Sequence, residues 1–299
     1  MSIEKLEDVM QSIVAEVSDE VLELYKKVPS GKRLRAKLVF KIAGESDESI
    51  KLASIIELIH AASLLHDDVI DDALTRRGVD SINATFGNKT AIMLGDILYS
   101  KAYEKLVVFN EQISQSISNA VALLSEGELL DVELSKEINL DKDKYFDMIY
   151  KKTAILIEAT AKASALLVNK DSEKYSTYGK NLGLAFQVID DVLDVIQNDK
   201  TLGKPALNDF KEGKTTLIYI DLIEALDGDD KQKVLNFFKK ELSDEDRQWL
   251  LMKVFQTGAL KKSIDLAKSL GKKALDAVEG EPNQVELQKV IRDMIEREF

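Results

Sequence analysis

Two clusters of aspartates are the residues of this chain whose types and spacing suggest chemistry. The pattern DDxxD occurs at residues 67–71 and again at residues 190–194. In a helix, the first and last aspartates of each copy lie about one turn apart on one face. Two carboxylates 4 Å apart repel by roughly 4 kcal/mol at an effective dielectric near 20, and a bound cation removes that cost. Oxygen ligands in an open arrangement suit Mg²⁺, which usually shares its coordination with substrate phosphates, so we predict that these clusters bind Mg²⁺.

Each aspartate cluster continues an apolar helix. Residues 55–78, IIELIHAASLLHDDVIDDALTRRG, place His60 and Ser63 on the stripe that ends in the first cluster. This gradient predicts a deep pocket with an apolar floor and a charged mouth. Residues 179–194, GKNLGLAFQVIDDVLD, place Gln187 on the stripe of the second cluster. A single DDxxD also fits a solvated helix face, but two copies with basic residues downstream favour a ligand site.

Several lysines and arginines have positions that suit anion binding. Lys32 and Arg35 share a face at a predicted helix start, where the helix dipole does not stabilise a positively charged side chain. They fit either an anion site or a solvated basic turn. Lys152, on an otherwise apolar helix, fits either a phosphate ligand or a snorkelling surface lysine. Lys204 and Lys214 each follow a glycine in a predicted loop, as closure over phosphates would need, and the absence of a P-loop pattern argues against a nucleotide site.

The composition indicates an all-α protein. The 299 residues include three prolines and fourteen glycines, and long segments are rich in Leu, Ala, Glu, Lys and Ile. No linker or repeat divides the chain, so residues 1–299 are predicted to form a single domain. The absence of cysteine excludes disulfides and thiolate metal sites, and the net charge of −12 argues against a nucleic-acid partner. The N-terminus lacks a signal-peptide pattern and no apolar run reaches the length of a membrane span, which predicts a cytoplasmic location.

The periodicity also predicts individual elements. A helix over residues 112–134 is expected to be interrupted at 126–128, and Asp141 is expected to cap the next helix. Turn residues predict that 83–89 is not helical, and the longest aperiodic stretch, 199–214, is expected to be a loop.

The order and spacing of these motifs resemble the trans-isoprenyl diphosphate synthases, also called the polyprenyl synthetase family. The resemblance covers about residues 28–280. It rests on GKRLR at 31–35, HAASLLHDDVIDDALTRRG at 60–78, KT at 152–153, FQVIDDVLD at 186–194 and the lysines of GKP and EGK. It implies an isoprenoid synthase-like bundle of about a dozen helices around a deep central cavity. It also implies a bacterial long-chain member that forms a homodimer, as is usual in the family.

The resemblance implies a role for each candidate residue. The Mg²⁺ ligands that hold an allylic diphosphate, directly or in support, would be Asp67, Asp68, Asp71, Asp190 and Asp194. Contacts to that diphosphate, or to the cation left after it departs, would come from Arg76, Lys152, Thr153, Gln187, Lys204 and Lys214, with Lys152, Gln187 and Lys204 as catalytic residues. Isopentenyl diphosphate would be held by Lys32, Arg35, His60 and Arg77. The implied reaction is ionisation, attack by the isopentenyl double bond and proton loss.

Three positions depart from the family's motifs. Leu207 stands where the GKPxGxD loop usually has glycine, Ala36 stands where proline often follows GKRLR, and no proline follows the pair Lys214 and Thr215. These departures bear on the geometry of the loop that carries Lys204, and no charged ligand is lost.

The sequence leaves three alternative functions open. A terpene cyclase would share DDxxD, but its second site usually has an Asn/Asp-Ser-Glu triad, whereas residues 190–194 are a plain aspartate cluster. A non-catalytic subunit of a heteromeric synthase typically loses one cluster, and this chain keeps both. A short-chain farnesyl or geranylgeranyl diphosphate synthase differs from a long-chain enzyme only in where elongation stops.

Product length depends on the residues one turn below the first cluster. Ala62 and Ser63 are small there, whereas short-chain members commonly place an aromatic residue at these positions or insert two residues in the cluster. One helical turn, roughly 5.4 Å, is comparable to one five-carbon unit. We therefore predict a product of six to eight isoprene units, built from farnesyl or geranyl diphosphate, for example for quinone side chains. Tyr99, Tyr103 and Leu123 are candidates for the floor, and membrane contact is expected to be at most peripheral, for product release.

Overall fold

The computed structural model describes residues 2–196 and 207–295, and nearly all of its regular structure is helical. The predicted all-α fold is confirmed. The helices are α1 (Ser2–Ala15), α2 (Asp19–Tyr25), α3 (Leu34–Ala43), α4 (Asp47–Ile70), α5 (Ile82–Phe86), α6 (Asn88–Leu106), α7 (Glu111–Leu134), α8 (Lys142–Ile149), a π-helix (Tyr150–Ala154), α9 (Ile155–Leu167), α10 (Ser172–Ile196), α11 (Asn208–Glu212), α12 (Leu217–Ala225), α13 (Gly228–Phe237), α14 (Asp244–Gln256), α15 (Ala259–Ala277) and α16 (Gln284–Ile295). A short antiparallel hairpin pairs β1 (Thr75–Arg76) with β2 (Val79–Asp80).

The chain separates into two compact units. The first comprises Met1–Val121, Ala159–Ser176 and Val285–Leu287, and the second comprises Ala122–Glu158, Thr177–Gln284 and Gln288–Phe299. The single domain over residues 1–299 and its deep central cavity therefore stay predictions.

Helix α4 is the core element of the first unit. Ser46 and Ser49 begin it with a capping box, in which the Ser46 Oγ accepts the Ser49 N–H at 3.1 Å and the Ser49 Oγ accepts the Ser46 N–H at 2.8 Å. The helix packs against α1, α3 and α6. Among the described residues it is the one helix long and apolar enough to cross a membrane, but 78% of its most apolar window is buried, as in the core helix of a globular unit.

Helix α12 lies at the centre of a hydrophobic core in the second unit. Phe210 and Tyr219 stack with ring centroids 4.3 Å apart, and Phe237 meets Trp249 edge to face at 5.9 Å. The core also contains Val192 and Val195 of α10. This packing fixes the helix that carries the second aspartate cluster.

Two predicted interruptions are wrong. Helix α7 continues through residues 126–128. The glycine at 127 accommodates neighbouring backbone rather than a helix break, because a Cβ there would lie 2.2 Å from the Lys152 nitrogen. Residues 82–86 form α5, because the Ser81 Oγ accepts the Ala84 N–H at 3.3 Å and so caps a short helix.

Two other expectations hold in whole or in part. The predicted cap at Asp141 is confirmed, since its carboxylate accepts the N–H groups of Asp143 and Lys144. Within the predicted loop 199–214, residues 208–212 form α11, and residues 199–206 lie outside the described residues.

Candidate functional site

The first aspartate cluster lies at the C-terminal end of α4. Asp67 is half-buried, Asp68 is buried, and Asp71 caps the helix in an exposed position. The carbonyl end of a helix carries partial negative charge, so carboxylates there are unfavourable without a cation nearby. Asp68 has such a partner: its Oδ1 accepts the Arg76 Nε–H at 2.7 Å, and the Arg76 Nη2 lies 2.7 Å from the same oxygen. Asp68 therefore holds Arg76 beside the cluster.

A group of arginines surrounds His60 in the same unit. Burial first, and then the positive charges of Arg35 and Arg77, hold the pKa of His60 well below its usual value, so the imidazole is neutral at neutral pH. Burial also lowers the pKa of Arg35 to about 10, and its buried Nε has no hydrogen-bond partner among the described residues. Lys32, predicted to share this site, is exposed on the turn before α3. The arrangement suits an anion, since excess positive charge surrounds an unsatisfied donor.

Arg33 anchors the basic motif to the core, and sequence reasoning missed its partners. Its backbone is left-handed, with φ 51°. Its Nε and Nη2 donate to the two Glu7 carboxylate oxygens at 2.6 and 2.8 Å, and its Nη1 donates to Glu57 at 3.3 Å. Glu57 also accepts the Ala36 N–H at 3.0 Å. The available signal was Glu57 itself, a carboxylate within the apolar run IIELI.

The second aspartate cluster divides its carboxylates between solvent and interior. Asp190 is exposed, Asp191 is buried, and Asp194 is half-buried. Asp194 accepts the backbone N–H groups of Asn208 and Asp209, each at 3.2 Å, and so ties α11 to α10. Burial, reinforced by the nearby Asp190 carboxylate, raises the pKa of Asp191 to about 7 and that of Asp194 to about 6. Carboxylates crowded in this way favour a cation.

A chain of hydrogen bonds connects this cluster to the π-helix. The Thr153 Oγ1–H donates to the Gln187 Oε1 at 2.7 Å, and the Gln187 Nε2–H donates to the Asp191 Oδ1 at 2.8 Å. The Tyr145 Oη–H donates to the Asp191 Oδ2 at 2.5 Å. Thr153 and Gln187, both expected to contact the allylic diphosphate, are therefore hydrogen-bonded to each other. Tyr145 and Asp191, which were given no individual role, complete the hydrogen-bond chain.

Lys152 lies on the π-helix and is held by two carboxylates of α7. Its Nζ lies 2.5 Å from Asp131 and 2.9 Å from Glu128. Burial would lower the pKa of Lys152, but Asp131 and Glu128 raise it above its usual value, so the ammonium stays charged. Lys214 forms an ion pair with Glu212 at 2.8 Å. The structure therefore holds Lys152 and Lys214 in ion pairs, while Lys204 lies outside the described residues.

The two predicted chain-length residues are both buried on α4. Ala62 is fully buried, and the Ser63 Oγ donates to the His60 carbonyl at 2.9 Å. Tyr99 of α6 is half-buried, and burial together with the Asp67 charge raises its pKa above the usual value. An aromatic residue therefore lies close to the first cluster.

Comparisons with known proteins identify the family of this chain. Residues 16–255 match the family model described as polyprenyl synthetase. The structure is similar to octaprenyl pyrophosphate synthase from Helicobacter pylori, with 44% identity, a TM-score of 0.94 and 99% of each chain covered. It is also similar to a polyprenyl synthase from Caulobacter crescentus CB15 complexed with calcium and isoprenyl diphosphate, with 29% identity, a TM-score of 0.90 and 99% and 94% of the chains covered.

A third similar structure is geranylgeranyl pyrophosphate synthetase from Pyrococcus horikoshii Ot3, with 32% identity, a TM-score of 0.88 and 98% and 95% of the chains covered. The similar proteins thus include makers of both short and long products. The chain belongs to the polyprenyl synthetase family and is a trans-prenyl diphosphate synthase.

Proposed function

We propose that this enzyme condenses isopentenyl diphosphate head-to-tail with an allylic diphosphate, farnesyl or geranyl, to make a long all-trans polyprenyl diphosphate. The observation that carries the proposal is that both aspartate clusters are complete and that buried carboxylates hold a cation in each unit. Arg76 is held by Asp68 in the first unit, and Lys152 is held by Asp131 and Glu128 in the second. Fixed positive charges of this kind stabilise a departing diphosphate.

Mg²⁺ is the proposed metal, with Asp67, Asp71 and Asp190 as ligands and with Asp68 and Asp194 in support. The donors are all carboxylate oxygens, which Mg²⁺ prefers. Within the described ranges, no three carboxylate or histidine side chains already form a cluster able to hold a metal ion. Mg²⁺ usually takes one or two carboxylates and completes its coordination with water and substrate phosphates. When bound, the metal would neutralise charge on the leaving diphosphate.

In the proposed reaction the bond between C1 of the allylic substrate and its diphosphate oxygen breaks first. Six polar residues bind the departing diphosphate or stabilise the allylic cation: Arg76, Lys152, Thr153, Gln187, Lys204 and Lys214. Lys32, Arg35, His60 and Arg77 orient isopentenyl diphosphate so that its terminal double-bond carbon attacks C1. A proton then leaves the isopentenyl C2 for the released diphosphate. The product is an allylic diphosphate one isoprene unit longer.

A long product, six to eight isoprene units, is the proposed outcome of elongation. The small side chains of Ala62 and Ser63 support it, as does the similarity to an octaprenyl enzyme over 99% of the chain. The similarity to a geranylgeranyl enzyme keeps a short-chain product as the alternative outcome.

A cytoplasmic homodimer is the proposed form of the enzyme. Phe86, Ile92 and Met93 expose apolar surface on α5 and α6, as a subunit interface would require. A monomeric mass in size-exclusion chromatography with light scattering, at micromolar concentration, would contradict the dimer.

The test is an assay of the purified chain alone with labelled isopentenyl diphosphate and either primer. We expect Mg²⁺-dependent product that is lost in excess EDTA. Asp67→Ala and Asp190→Ala should each lower turnover on the order of 1,000-fold or more, because an uncompensated leaving group blocks ionisation, while circular dichroism stays unchanged. No product from the wild-type chain would favour a non-catalytic subunit, and a cyclic hydrocarbon product would favour a cyclase.

A further inference from the structure

Asp191 differs from its neighbours in the second cluster because both of its oxygens are already engaged by side-chain donors. It is 4% exposed, and it accepts hydrogen bonds from Gln187 at 2.8 Å and from Tyr145 at 2.5 Å. Asp190, by contrast, is exposed. A carboxylate that is buried and occupied at both oxygens is poorly placed to bind a metal.

The hydrogen bonds of Asp191 determine which way the Gln187 amide points. The Asp191 Oδ2 accepts the Tyr145 Oη–H, and the Asp191 Oδ1 accepts the Gln187 Nε2–H, so the amide turns its nitrogen towards Asp191. Its Oε1 then faces Thr153 and accepts the single hydroxyl proton of that residue at 2.7 Å. Thr153 has no further proton to donate, so its oxygen has only lone pairs left to offer. The order of donors and acceptors in the hydrogen-bond chain from Tyr145 to Thr153 is therefore fixed.

Building on the proposed function, we propose that Asp191 and Tyr145 are positioning residues that hold Gln187 and Thr153 with oxygen lone pairs, rather than N–H or O–H groups, available to the allylic cation. Preoriented negative dipoles stabilise developing positive charge without reorganisation. A reversed Gln187 amide would present an N–H group to Thr153, and the Thr153 hydroxyl would then be free to turn its proton towards the cation. Asp191 thus acts on the ionisation step through Gln187 and does not bind the metal.

The first test is Asp191→Asn, which keeps the shape of the side chain but replaces one acceptor with a donor. The new amide cannot accept from both Gln187 and Tyr145, so the chain breaks or reverses. We expect kcat to fall on the order of 100-fold, the loss typical of a misplaced reacting group. The KM for isopentenyl diphosphate and the Mg²⁺ concentration for half-maximal rate should change less than about twofold. A residue that acts only in the transition state lowers kcat without weakening the binding of substrate or metal.

Asp190→Asn is the comparison for a metal ligand, and it should raise the Mg²⁺ requirement. A similar rise in Asp191→Asn, or an unchanged kcat, would overturn the proposal.

A double-mutant cycle separates positioning from a general structural role. If Asp191 acts through Gln187, then Asp191→Asn should cost less than about threefold in kcat once Gln187→Ala is present. The same 100-fold loss in that background would overturn the proposal.

Tyr145→Phe is a milder variant that tests the same proposal if Asp191→Asn does not fold. It removes one donor to Asp191 and should lower kcat roughly threefold to tenfold, the loss of one hydrogen bond of about 1 kcal/mol. The matched control is Tyr219→Phe, a buried tyrosine whose Oη has no hydrogen-bond partner among the described residues, which should leave kcat unchanged. Equal effects in both tyrosine variants would overturn the proposal, whereas an inactive wild-type chain would contradict the proposed function itself.

Discussion

At the scale of single residues, several side chains have properties set by surroundings that are distant in sequence. His60 is neutral because desolvation and the neighbouring arginines lower its pKa. Leu207 adopts a left-handed backbone with φ 64° where glycine is usual in the family. Leu207 nevertheless packs into the core of the second unit with 4% exposure. Charge balance and burial therefore decide how these residues behave.

We predict that His60 titrates well below pH 6.5 in the free enzyme and at higher pH when isopentenyl diphosphate is bound. A bound dianion offsets the arginine charges that disfavour the imidazolium. The chain has two histidines, so NMR titration of the wild type and of His66→Gln assigns the signals. A pKa near 6.5 in the free enzyme would contradict the prediction.

The same shift has a consequence for stability. The folded pKa of His60 lies below the unfolded value near 6.5, so the unfolded chain takes up the proton first. The contribution of His60 to the free energy of unfolding is present above pH 6.5. It is lost as the pH falls from 6.5 towards the folded pKa.

We predict that Leu207→Gly destabilises the protein although it relieves a left-handed backbone. Relieving the left-handed backbone should raise the free energy of unfolding by about 1–2 kcal/mol. Removing the buried leucine side chain lowers it by about 3–5 kcal/mol, and the greater backbone entropy of glycine in the unfolded chain lowers it by roughly another 0.5–1 kcal/mol. The free energy of unfolding from urea denaturation should fall by about 2–4 kcal/mol. Lys239→Gly is the control, because Lys239 has φ 58° but is exposed, and it should be neutral or stabilising by up to about 1 kcal/mol.

At the scale of elements, the π-helix is the feature that brings the site of the second unit together. It carries Lys152 and Thr153, and glycines of two helices pack directly on it. A Cβ at Gly127 would lie 2.2 Å from the Lys152 nitrogen, and one at Gly183 would lie 2.5 Å from the Ala154 Cα. π-Helical turns frequently mark functional sites. The position of this π-helix depends on two close contacts between its backbone and neighbouring helices, which only glycine at 127 and 183 permits.

We predict that Gly127→Ala lowers both stability and activity. Alanine in an exposed helix interior would stabilise by up to about 1 kcal/mol relative to glycine. Here its Cβ meets backbone that cannot rotate away, so we expect a loss of about 1–3 kcal/mol in the free energy of unfolding. Displacement of Lys152 should also lower kcat on the order of 100-fold. Asn119→Ala, an exposed position on the same helix, serves as the control, and a stabilised, fully active Gly127→Ala enzyme would refute the packing argument.

At the scale of the whole molecule, product length is a property that varies among the proteins to which this chain is similar. The similar structures include octaprenyl and geranylgeranyl enzymes, so family membership leaves product length open. The local evidence is the small, buried pair Ala62 and Ser63 on α4, below the first aspartate cluster.

We predict that Ser63→Phe or Ala62→Phe shortens the product to about fifteen or twenty carbons without abolishing activity. Each phenylalanine would fill roughly one helical turn, about 5.4 Å, of the space that a longer chain needs. Chromatography of dephosphorylated products from the wild type and both variants measures this effect, with Ser63→Ala as a control of matched small size. A wild type that stops at fifteen carbons, or variants with an unchanged distribution, would show that other residues limit elongation.

The sequence by itself determined the helical class, the two aspartate clusters and the family, because these follow from local periodicity and from the order of motifs. It also predicted that Thr153 and Gln187 belong to one site, which their 2.7 Å hydrogen bond now supports.

Only the tertiary structure decided which carboxylates support other side chains. Asp191 and Tyr145 are 46 positions apart, and Glu7 and Arg33 are 26 apart, so no helical period relates them. The interruption expected at residues 126–128 is wrong for the same reason: Gly127 lies against the backbone of the π-helix, a contact that the period of its own helix does not reveal. Helix periodicity specifies which face a residue lies on, but the partner that covers that face is set by packing between distant segments.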